Sequence, residues 1–347
     1  MSSNTQVSIT RDNHYVQQAL MRRWSVDATT VWAYRTLVSH AHIPEWEQKA
    51  IKGIAVQNDL YTVFSGGREV DEFERWIQRE YEDPGFEATE KLVTGGQLTP
   101  ADWAAIQRYV AAQDLRTPLT FKEDMERWKT FVPSLLNGVL NDSIEEIARL
   151  QAEGSSSIPP STPNPYSELI KVDIQRPTDE RATHGTLQLS MRTGRKLWIV
   201  SIRQQLISNA AVICGQRWSV IMPFEDEEWP LTDQPVVRLN YDKPGQYNFK
   251  GGWGNPNSEI FMPVSPRHLL YVRVGSKAAN RFSLTRDVTR QLQRFLVERA
   301  DRWIFARKKL DWVASVRPRI VDYERFSAEQ AAWKKWRKEQ LELEKSW

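Results

Sequence analysis

The chain has 347 residues, 40% hydrophobic and 26% charged, with a formal charge of +3. A chain of this size can close a core without disulfide or metal staples, and its single cysteine, Cys214, excludes a disulfide framework and any multi-cysteine zinc or iron–sulfur site. Residues 1–13 are polar and no apolar run approaches bilayer length, which points to a cytoplasmic protein with no membrane partner.

Tryptophan, with 15 copies against 12 Phe and 10 Tyr, suits half-buried seams between elements, where the indole buries area and its N–H finds one acceptor. In chain order, residues 30–38 and 54–64 carry β-branched and aromatic residues at strand density, joined through 44–52. Between 69 and 93, Val70, Phe73, Ile77 and Tyr81 recur at helical spacing, with Pro84-Gly85 expected to interrupt or kink the helix. Thr99 as N-cap, Pro100 at the first helical position and Asp102 in the first turn start a helix to about Leu115. Arg116-Thr117-Pro118 ends it, because the residue before a proline leaves the α region.

Residues 154–165 hold four prolines and no charge and read as a surface excursion. Beyond it, 197–207 reads as helix, and 217–222, 231–240 and 259–274 as strand, with a glycine-rich loop at 251–256. A long helix is expected over 287–312, with Val288, Leu292, Phe295, Leu296, Ile304 and Leu310 inward. A last helix over 328–345 sets five basic and four acidic residues around Trp333 and Trp336. The expected class is α+β, predominantly helical with one or two small, mostly antiparallel sheets. Its parts are 1–153, 154–165, 166–327 and 328–347, which can equally build one domain.

Six short segments occur in one order. They are His14-Tyr15-Val16-Gln17-Gln18 with Arg22-Arg23-Trp24; Leu60-Tyr61-Thr62; Glu80; Leu115-Arg116-Thr117-Pro118; Trp218 with Asp233-Gln234-Pro235-Val236; and Met262-Pro263-Val264-Ser265-Pro266. Together they resemble the bacterial family called domain of unknown function four-two-three-eight, whose name implies no activity. Three positions depart from the family pattern: Gln17 stands for its proline, Gln234 for the asparagine of its Asp-Asn-Pro, and Gln293 for an asparagine in the late helix. A longer amide arm alters any site that needs fixed amide geometry.

His14, Glu80 and Asp233 are candidate catalytic groups, and Arg22 and Arg116 candidate substrate-binding groups. Histidine exchanges a proton near neutral pH, a carboxylate orients it, and arginine holds phosphate bidentately. The competing reading makes the same residues a buried network that braces turns and helix ends. Residues 281–319 carry 11 Lys and Arg against 4 Asp and Glu, and Arg286, Arg290 and Arg294, extended by Arg302, form a ridge able to track a phosphate backbone. The alternative for the ridge is a solvated face paired with the acidic 69–90 helix.

His40-Ala41-His42 lacks a convincing third ligand, so no metal site is assigned, and no cofactor is identified. Ser265 lacks a nucleophile-elbow context, Cys214 sits in an apolar run, and the glycine pairs lack a phosphate-cradle pattern. Two functions follow as expectations. One is an enzyme acting on nucleic acid or nucleotide phosphates, extending to a toxin or phage-defence effector. The other is a non-catalytic binding or assembly module whose polar motif residues are structural.

Overall fold

A computed structural model of the protein describes residues 9–153, 165–175, 186–243, 245–276 and 281–346. The fold is α+β. It divides into two compact units, the first made of residues 1–120 and 205–347, the second of 121–204.

The first unit carries a six-stranded sheet in the order Gln246–Asn248, Val237–Lys243, Glu259–Ser265, His268–Arg273, Ser219–Met222, Arg281–Ser283. Only the last pair is parallel, so this sheet is mixed and larger than the small antiparallel sheets expected. A four-stranded antiparallel sheet follows the order Leu231–Thr232, Trp303–Ala306, Thr30–Arg35, Trp46–Ala50. Trp46–Ala50 was expected only as a connector. Only its first residue, Trp46, is buried, and pairing to Thr30–Arg35 decides its conformation.

The helix Arg286–Arg299 joins the cores of these sheets. Leu292, Phe295 and Leu296 pack with Val237, Leu239, Phe261 and Leu269, while Val297 packs with Tyr34, Trp46 and Ile304. Each such side chain contributes roughly 1.5–3 kcal/mol on burial. The helix expected to reach residue 312 therefore stops at Arg299, and Trp303–Ala306 is a strand. Helical spacing cannot distinguish such an apolar run from a buried strand; here two flanking strands take up its backbone groups. Val288, expected inward, is exposed.

Pro84-Gly85 does not end its helix. A π-helical turn, Gln78–Glu82, links Glu72–Ile77 to Asp83–Val93, and Pro84 falls in the first turn of that last segment, where its missing N–H is harmless. Gly85 is required there, since a Cβ would lie 2.2 Å from Cβ of Tyr109. The helix Pro100–Leu115 begins at the expected N-cap, which closes as a capping box: Thr99 Oγ1 accepts from the Asp102 N–H at 3.2 Å and Asp102 from the Thr99 N–H at 2.7 Å.

In the second unit, Phe121 packs edge-on against Trp198 at 5.1 Å. Ile170–Gln175 and Thr186–Met191 form an antiparallel hairpin. Of the 154–165 excursion, residues 154–164 lie outside the described residues.

Candidate functional site

The helix that Thr99 starts ends at Arg116, and Thr117 starts the next helix, Pro118–Ala152, by accepting the Thr120 N–H at 3.2 Å. Arg116 thus stands between two helices with a side chain only 1% exposed. Its Nη1 donates to Glu82, its Nη2 to the backbone carbonyl of His14 at 2.5 Å, and its Nε to the Tyr61 hydroxyl at 3.3 Å. The Tyr61 hydroxyl donates back to the Arg116 carbonyl. Gln113 donates to the same Glu82 oxygen at 2.8 Å.

The π-helical turn decides which glutamate arrives. Glu82 is buried against Arg116, whereas Glu80, the expected candidate, is 42% exposed and pairs with Arg79 at 2.8 Å. Glu74 reaches within 3.6 Å of Arg116 through Oε1, and its Oε2 is buried without a hydrogen-bond partner. Burial pushes the Glu74 carboxyl up to about 7 despite Arg116, with Glu82 and Asp71 adding to the rise.

His14 ends the strand Asp12–His14, and its Nδ1 lies 3.3 Å from the Gln18 amide. Burial holds the ring below the ordinary histidine range; the Lys52 backbone opposes this and the Arg116 charge adds to it. Arg22 is exposed. Its neighbour Arg23 is the engaged residue, donating to the Val264 carbonyl and to Glu90, both at 2.8 Å, with its guanidinium 4.4 Å from the Phe86 ring.

Asp233 is buried in the turn after Leu231–Thr232. Its carboxylate accepts the backbone N–H groups of Asp301 at 2.9 Å, Arg302 at 2.6 Å and Trp303 at 3.0 Å. Burial and Asp301 raise its pKa, and the three N–H donors pull it down. Asp233 therefore fixes the chain where the basic helix gives way to strand, and so the position of Trp303. Next to it, Gln234 accepts from the Thr117 hydroxyl at 2.7 Å, which links the Asp233 turn to the Arg116 segment. Tyr15, next to His14, has its hydroxyl pKa raised by burial and then by Asp233. The structure thus brings His14, Arg116 and Asp233 into one polar frame, and leaves Glu80 and Arg22 outside its hydrogen bonds.

A family described as protein of unknown function (DUF4238) matches residues 12–310. The chain belongs to DUF4238. No curated protein and no solved structure matches it at a significant level. In this DUF4238 chain the three glutamines noted in the sequence all form hydrogen bonds. Gln17 accepts from the buried Tyr109 hydroxyl at 2.9 Å, Gln234 from Thr117, and Gln293 donates to the Glu228 carbonyl at 2.9 Å.

The arginine ridge carries carboxylates along its length. Arg286 lies 3.7 Å from Glu225, Arg290 2.7 Å from Glu227, and Arg294 2.6 Å from Glu298. Arg302 lies past the helix end and holds Glu329 through two nitrogens and Asp301 at 2.6 Å. These partners replace the 69–90 helix that sequence suggested. Burial alone would raise the Glu227 carboxyl, yet Arg290 and Gln293 hold it below its ordinary value.

The imidazoles of His40 and His42 stack at 5.2 Å, and His40 stacks on Tyr323 at 5.4 Å. Ser265 lies 2.9 Å from His268 Nδ1, but its oxygen also accepts the N–H groups of Arg267 and His268, which makes it the cap of a hairpin turn. Burial raises the Cys214 thiol pKa. Gly251 is held by packing, since a Cβ would sit 2.5 Å from the Leu239 carbonyl oxygen. Sequence reasoning missed Glu74, Glu82 and Arg35. For Glu82 the sequence offered no signal: at ordinary helical spacing the stripe Phe73, Ile77, Tyr81 places residue 80 nearer the buried face than residue 82, and the π-helical turn reverses this.

Proposed function

We propose that this DUF4238 protein is a non-catalytic binding module whose polar motif residues are structural, working in the bacterial cytoplasm. The observation that carries this reading is that every side-chain nitrogen of Arg116 and both oxygens of Asp233 have partners within the chain. The guanidinium is enclosed by Glu82, Tyr61 and the His14 carbonyl, and the carboxylate by three backbone N–H groups. Reacting groups need an open hydrogen-bonding position for substrate, whereas each guanidinium nitrogen of Arg116 and both carboxylate oxygens of Asp233 are already engaged within the chain. The paired ridge gives nucleic acid few uncompensated charges, so phosphate binding receives no support from Arg286, Arg290, Arg294 or Arg302.

The test is a turnover assay of the wild-type chain on nucleotide, phosphomonoester and phosphodiester substrates beside Asp233→Asn. Absence of turnover is the expected result. Turnover that vanishes in Asp233→Asn while its thermal midpoint stays at the wild-type value would overturn the reading.

One observation favours the enzyme alternative. Glu74 has an unpartnered oxygen, a side chain 17% exposed and a carboxyl poised near neutrality, which are the properties of a general acid or base. Under that alternative, Glu74→Gln abolishes the turnover found in the same screen.

A further inference from the structure

The four-stranded sheet and the helix Tyr323–Lys345 line a cavity of about 250 Å³, with Arg35, Trp303 and Phe326 on its wall. The Arg35 guanidinium carbon lies 4.9 Å from the Trp303 ring centroid and 4.6 Å from that of Phe326. Aromatic contacts of this kind cover the faces of the guanidinium and leave its in-plane N–H fork for an acceptor.

No acceptor is supplied by the described residues. The Arg35 side chain makes no hydrogen bond or ion pair among them, and its Nε is buried without a partner. The two carboxylates that act on it electrostatically are already engaged: Glu329 by Arg302, and Glu47 by Lys49 at 2.8 Å. Arg116 and Arg302, cations in similar surroundings, each hold a carboxylate. An unpaired guanidinium in such a place is costly unless something enters to meet it.

We propose that this cavity binds a small monocarboxylate with an apolar or aromatic body. The carboxylate takes the N–H fork of Arg35 bidentately, and the body lies against Trp303, Phe326, Ile43 and Pro44. A single charge is favoured over a phosphate dianion because Glu45 and Glu47 also line the cavity, and only one cation there lacks a partner. The volume lies just below the usual range of about 300–1,000 Å³ for ligand sites, which suits about ten non-hydrogen atoms. Asp233 acts on this site from behind, by fixing the backbone at Trp303.

This inference rests on the binding-module reading and is tested by calorimetric titration of the full chain with phenylacetate and hexanoate, beside phenyl phosphate and benzylamine. The expected result is a dissociation constant of about 1 mM or below for phenylacetate. Arg35→Gln is expected to weaken it about 10–100-fold. No binding of either carboxylate, equal affinity in Arg35→Gln, or tighter binding of phenyl phosphate or benzylamine overturns the proposal. Should Arg35→Gln fail to fold, nuclear Overhauser contacts in wild type decide it: contacts from phenylacetate to Trp303 are expected, and contacts only elsewhere overturn it. A failed titration leaves the structural role of Arg116 and Asp233 standing, because turnover and stability measurements test that role separately.

Discussion

Arg116 donates through Nη2 to the backbone carbonyl of His14 at 2.5 Å, across 102 residues of sequence. The bond ties the first strand of the DUF4238 region to the junction of two helices, and it uses the histidine's main chain and not its ring. The other Arg116 contacts, to Glu82 and Tyr61, close a network in which charge is matched inside the fold.

Replacing Arg116 by Lys keeps the charge but not the fork, so Glu82, the His14 carbonyl and Tyr61 cannot all be met. The expected loss of stability is about 2–4 kcal/mol, measured by urea denaturation. A loss within experimental error would show that the fork geometry is unimportant.

Glu74 makes stability pH-dependent. Its carboxyl titrates at about 7 in the fold against an ordinary value of 4.5, so between those values the folded state binds more protons than the unfolded state. Stability therefore falls as pH rises through this window, and the cost is fully present above pH 7. Glu74→Gln should flatten the slope and stabilise the protein at pH 8 by about 1–3 kcal/mol. Urea midpoints from pH 4.5 to 8 check this, and an unchanged slope would remove Glu74 as its source.

Gly85 and Tyr109 meet too closely for any larger side chain. Gly85→Ala should cost about 1–3 kcal/mol through overpacking, seen as a lower thermal midpoint. A stabilised variant would mean that the helices separate more easily than their packing suggests.

The ridge gives a further prediction. Arg286, Arg290 and Arg294 are each more than half exposed and each carries a carboxylate partner, so changing all three to Ala should leave the urea midpoint nearly unchanged. Any weak nucleic-acid affinity, measured by fluorescence anisotropy, should change little. A large loss, with a shallower salt dependence, would restore the ridge as a phosphate surface.

Much of the local structure was legible in the sequence where one physical signal acts alone. The Thr99 cap and the stop at Arg116 follow from cap and turn chemistry, and the strand content of 259–274 from its β-rich residues, though the turn that divides it into two strands was not expected. The path after Arg299 was not, because Trp303–Ala306 has helical spacing on one side and strand propensity on the other, and tertiary pairing settles the matter. The sites erred by small offsets: Arg22 for Arg23 and Glu80 for Glu82. A π-helical turn shifts the phase of everything after it, and no local composition announces one. Arg35 was invisible for a different reason, since its significance lies in carboxylates that other residues have taken.

The most direct measurement is the thermal midpoint of wild type beside His14→Ala, Arg116→Ala and Asp233→Ala at pH 7. A structural frame predicts drops of at least about 5 °C for Arg116→Ala and Asp233→Ala, and a smaller one for His14→Ala, whose bonded carbonyl survives. Unchanged or raised midpoints for Arg116→Ala and Asp233→Ala would contradict it, and would mark these residues as kept for function at the expense of stability.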